Sequence, residues 1–124
     1  MSAPIANVQG VLTTEPAVTA IVAGRIYMAQ AEQTAAPPFV VHQLVSNVAG
    51  LPLAGRPSYD AQLFQVDAYS RDPVEAMNLA FACRDALEAV AHVDRGPLDM
   101  GLDQVSGLYR WTLDVAFIWS RRDG

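Results

Sequence analysis

Between Leu108 and Ser120 the chain alternates with a period of two. Tyr109, Trp111, Leu113, Val115, Phe117 and Trp119 fall on one side of an extended strand, and Arg110, Thr112, Asp114 and Ser120 on the other. Successive side chains of a strand point to opposite faces, so this segment offers six apolar groups to a single surface. A lone hairpin in water has nothing to cover such a surface. The pattern therefore demands a sheet with one face covered by helices.

A second alternating strand leads directly into a helix. Phe64, Val66 and Ala68 share one side, and Gln65, Asp67 and Tyr69 the other. Asp72 then stands at the N-cap, Pro73 at the first helical position and Glu75 three residues past the cap, which supplies acceptors for the unpaired amides of a helix start. Ala76, Ala80, Cys83, Leu87 and Val90 recur at steps of four and three, an apolar stripe suited to lying on a sheet. Phe81 lies well outside that stripe.

The remaining elements are expected from local signals. An N-terminal helix is expected over about 3–23, capped by Ser2, weakened at Gly10, restarted with Thr14 as a second cap and Pro16 in the new first turn, and ended at Gly24. Phe39-Val40-Val41-His42-Gln43-Leu44-Val45 is rich in β-branched residues and apolar on both faces at its start, which places it inside the sheet. Strands are expected at about 25–29, 38–48, 59–70, 99–106 and 108–120, with the capped helix at about 72–92 and Arg95-Gly96-Pro97 as its breaker. The whole is a single α+β domain over residues 1–124, a mostly antiparallel sheet of about four to five strands with two helices packed on one face. A loop from Ala49 to Pro57 carries Leu51 and Leu53; such long loops are often functional, and the two leucines suit either a partner surface or packing back onto their own domain.

Composition excludes several function classes. Thirteen acidic residues against eight arginines give a formal charge of −5, and the arginines are scattered; general nucleic-acid binding draws on clustered cations. Only Arg121 and Arg122 adjoin, at a solvated terminus. The single cysteine, Cys83, leaves no internal disulfide and no multi-cysteine zinc site, and its place on the apolar stripe makes it a core residue. No apolar run reaches the roughly 20 residues that cross a bilayer. Met1-Ser2-Ala3-Pro4 does not read as a secretion signal, so folding in the cytoplasm is expected.

Catalytic signals are sparse. His42 and His92 have no second ligand at metal spacing, and no G-x-S-x-G, Walker or G-x-G-x-x-G pattern occurs. Ser46 and Ser70 read as strand-end or turn residues. Asp99 and Asp103 flank Gly101 but fall short of the ligand count of a calcium loop. Neither catalytic residues nor a cofactor or metal site is expected.

Taken in order, Thr14-Glu15-Pro16-Ala17-Val18, Val22-Ala23-Gly24-Arg25-Ile26-Tyr27, Pro38 to Ser46, Phe64 to Tyr69 and the alanine-rich helix with Arg84 and Leu87 resemble the tail-completion proteins of long-tailed bacteriophages, also described as tail terminators or head-tail joining proteins. The resemblance covers roughly residues 10–120. Gene transfer agents carry relatives, and the sequence does not choose between the two settings. The resemblance implies a non-enzymatic virion protein of the tail and neck, assembled in the bacterial cytoplasm. It implies a ring, usually of six copies, that ends the tail tube, contacts the tail tube protein and the neck or stopper protein of the head, and lets DNA pass without specific binding or any membrane contact.

A closing ring needs two different patches that meet at every subunit boundary. Candidates are Leu51, Leu53 and Arg56 of the long loop, Met77 and Phe81 beside the helix stripe, and the strand edge at Tyr27; lumen-facing acids, among them Asp60 and Asp67, are left unassigned. Two other classes stay open on the residues alone: a small ferredoxin-like dimeric enzyme or ligand-binding domain, and a non-viral tube-like interaction module.

Overall fold

The computed structural model describes residues 4–29, 31, 35–48 and 59–120. In chain order these form helices α1 (Pro4–Thr14) and α2 (Pro16–Val22), strands β1 (Ile26–Met28), β2 (Phe39–Val48) and β3 (Tyr59–Ser70), helix α3 (Pro73–Glu88), and strands β4 (His92–Asp103) and β5 (Leu108–Ser120). The strands make one sheet in the order β1-β2-β3-β5-β4. Only β1 and β2 run parallel; the other three pairings are antiparallel. The fold is α+β as expected, with three helices where two were expected.

The N-terminal helix is divided in two because of one dipeptide. Proline disfavours helical geometry in the residue before it, and Glu15, preceding Pro16, is extended at φ −89° and ψ 114°. Glu15 is thus the cap, its carboxylate accepting the Ala17 N–H at 3.3 Å. The expected cap, Thr14, instead closes α1, its hydroxyl donating back to the Gly10 carbonyl at 2.8 Å as threonine does inside helices. Left-handed residues end α2, Ala23 at φ 51° and Gly24 at φ 85°.

The α3 start follows the expected chemistry. Asp72 accepts the Val74 N–H at 2.9 Å, and the Ser70 hydroxyl donates to Glu75 at 2.7 Å while accepting the Asp72 N–H at 3.0 Å. The end does not: α3 stops at Glu88, and β4 begins at His92, seven residues before the expected strand. Arg95-Gly96-Pro97 lies inside β4 instead of preceding it. A proline has no amide for a ladder but is tolerated on an edge strand, and β4 is an edge. Its pairing with β5 shifts register three times, between Val93 and Arg95, Arg95 and Leu98, and Asp99 and Leu102.

The core lies between the sheet and the helix layer. Val40, Phe64, Val66, Ala68, Leu113, Val115 and Phe117 face Val8, Leu12, Val18, Val22, Leu79, Ala80, Cys83 and Leu87. Helix α3 covers β3, β5 and β4, while α1 lies over β1 and β2 and against α3, so the apolar floor of β5 serves α3 and the N-terminal helices cover the β1–β2 half of the same face. The α3 stripe is wider than expected, with Leu79 and Ala86 buried as well, and Val90 lies past its end, 55% exposed. Trp111 is half-buried at the margin of this core. Burial in apolar surroundings pushes the Cys83 thiol up to about 12, which makes it inert.

Candidate assembly interface

Met77 and Phe81 line one depression. Together with Glu15, the cap of α2, Ala17 of α2, and Asn78 and Asp85 of α3, they bound a cleft of about 490 Å³ between the two helices on the outer side of the layer. Its position follows from α3 geometry: residues three and four apart share a face, so 77, 78, 81, 82 and 85 turn away from the sheet together. The Arg84 guanidinium lies 4.8 Å over the Phe81 ring and bonds Asp85 at 2.9 Å, fixing one wall. The other side of Phe81 reaches Trp111 of β5, ring centroids 6.1 Å apart. Phe81 is therefore half-buried, and less freely exposed than its off-stripe position suggested.

Tyr27 sits on the opposite face of the sheet. It packs edge-on to Phe39 at 6.0 Å, and Phe39 stacks on Tyr69 at 5.0 Å. β1 is an edge strand, but a short one of three residues. Leu51, Leu53 and Arg56 lie outside the described residues. Of the six interface candidates, the structure thus joins Met77 with Phe81 and sets Tyr27 apart. Glu15, Asn78 and Asp85 line the same cleft, and the sequence carries a signal for Asn78 and Asp85: they flank Phe81 at helical spacing on the polar side of the stripe.

Polar groups on the helix-free face are spoken for locally. Asp67 is 4% exposed, accepts both amide N–H bonds of Gln65 at 3.0 and 3.1 Å, and lies 3.9 Å from Arg110. Burial together with the neighbouring Asp67 charge raises the Tyr69 hydroxyl above its usual range. Asp99 accepts the Gly101 N–H at 2.8 Å. Asp103 accepts from the Val105 N–H and the Ser106 hydroxyl, which hold its carboxyl below the usual range. Asp99 and Asp103 thus cap turns. Among the described residues no three His, Cys, Asp or Glu side chains converge as a metal site.

His42 is fully buried under α1, its Nε2 paired with the Gln9 side-chain oxygen, while the Gln9 amide donates to the Ile26 carbonyl at 3.3 Å. That network fixes the neutral Nε2–H tautomer, and burial lowers the imidazole below its ordinary value of 6.5. Because the folded state resists protonation, the stability His42 confers is complete above about pH 6.5 and declines as pH falls toward the lowered value. Unfolding in urea is expected to show a larger loss of stability between pH 7 and pH 5 for the native chain than for His42→Asn. Equal pH dependence in the two proteins counts against this role.

The depression between α2 and α3 thus has apolar walls and an acidic rim. The family model of tail completion protein gp17 matches residues 6–123, and the chain belongs to that family. It is a structural component of a virion tail of the phage type. Among solved structures, a chain from the virion of a native gene transfer agent particle is similar, with a TM-score of 0.63 at 16% identity over 93% of this chain and 96% of that one. At that identity the likeness is one of fold. No curated protein matches the chain.

Proposed function

We propose that six copies of this chain form a ring that ends the tail tube on its head-proximal side and presents a docking surface to the neck or stopper protein, with the DNA passing through the opening. The family match over residues 6–123 carries this reading, since it spans all three helices and every strand of the sheet. The charge supports it. Six copies at −5 each bring −30 to the ring, and a fixed negative field repels phosphates, so a duplex slides instead of sticking. The chemistry belongs to assembly, and the protein is not an enzyme.

Electron microscopy of the protein mixed with its tail tube protein tests the proposal. Six-fold caps at one end of each tube are expected; bare tube ends, or a stable two-fold dimer that ignores tubes, would overturn it. Phe81→Asp is a poor probe of the contact because Phe81 also touches Trp111. Asn78→Arg is the better one, for Asn78 is exposed and its replacement leaves the core untouched.

A further inference from the structure

Building on the ring reading, we infer that the cleft between α2 and α3 receives the β2–β3 loop, residues 49–58, of the neighbouring copy. A head-to-tail ring requires two dissimilar patches on each chain, placed so that each fits the next copy's counterpart. The cleft supplies one of them. Its walls are Met77, Phe81 and Ala17, and its rim carries Glu15 and Asp85. Asp85 already holds Arg84, whereas among the described residues no arginine pairs with Glu15, whose carboxylate meets only the Ala17 N–H. A ligand for this cleft combines bulky aliphatic groups with one cation a few residues away. Leu51, Leu53 and Arg56 are such a set.

The place where the loop is tethered favours a neighbour. α3 starts just after β3 ends and runs back along it, but its 16 residues span about 24 Å, against about 40 Å for the 12 residues of β3. The helix layer accordingly runs out near Phe64, the first fully buried one among the described side chains of β3. Tyr59 to Leu63, with their partners Ser46 to Val48 on β2 and Ala116 to Ser120 on β5, continue past it. The loop is joined to the chain at the far end of this extension. A loop tethered there starts and ends beyond the reach of the helix layer, on the side where a neighbouring copy would lie.

The test pairs Leu53→Cys with Asn78→Cys in the full chain, leaving Cys83 in place because it is buried and inert. Rings assembled on tail tubes and mildly oxidised are expected to give a ladder of linked chains up to six on a non-reducing gel, and either single variant none. Rings that form without the ladder, or a link closed within one chain, overturn the inference and leave the ring reading standing; native protein that never caps tubes overturns both. A charge exchange gives an independent readout. Glu15→Arg is expected to lower the fraction of capped tubes at least tenfold, and adding Arg56→Glu to restore it. Failure of that restoration, with both proteins folded by circular dichroism, also counts against the loop as occupant.

Discussion

Replacing Phe64 with alanine is expected to lower the free energy of unfolding by about 3–5 kcal/mol. Phe64 is fully buried near the middle of the sheet, and its ring meets Phe117 of β5 edge-on, centroids 5.7 Å apart. Truncation removes the transfer energy of the ring and leaves a hole that helix α3 cannot close, because its backbone is fixed on both sides by Leu79, Ala80, Cys83 and Leu87. Urea titration of the native and variant chains measures the difference, with an unchanged slope expected if only stability moves. A loss below about 1 kcal/mol would mean that β3 faces the other way.

The second large effect is on the opposite face. Asp67→Ala is expected to cost about 2–3 kcal/mol, the range for removing one charged partner from a mostly buried hydrogen-bonded group. Asp67 is nearly inaccessible, and its loss strips Gln65 of its acceptor and Arg110 of its counter-charge. Arg110 retains some exposure, with its side chain at 32%, so part of its charge can turn to water, and the cost falls below that of a sealed pair. A double-mutant cycle with Arg110→Met separates the two contributions. If Asp67→Ala unfolds within about 0.5 kcal/mol of the native chain, the pair is energetically idle.

Local periodicity carried most of what was legible beforehand. The alternation of β5 and the Asp72-Pro73-Glu75 start of α3 announce themselves within a few residues, and both elements lie where those signals put them. β4 escaped because Gly96 and Pro97 end helices and strands alike in most settings, and only its edge position, a property of the whole sheet, makes them tolerable. His42 and Asp67 escaped for a related reason. Whether a polar residue on an alternating strand is buried depends on what crosses above it, here α1 over His42 on one face. At the cleft, helical spacing set Phe81 off the stripe correctly, but the reach of Trp111 from β5 came from tertiary packing. Met77 and Phe81 share a cleft whose second wall comes from α2, a distant part of the chain.

The three register shifts of β4 bear on how such a subunit behaves in a crowded mixture of its own kind. An open sheet border invites a second chain to add on in the same pattern, and the product of that habit is an endless fibre. Along β4 the spacing of outward amides and carbonyls is interrupted at Val93, at Arg95 to Leu98 with its proline, and again before Leu102, so an arriving strand finds no run long enough to zip onto. The irregular border thus works against open-ended strand addition.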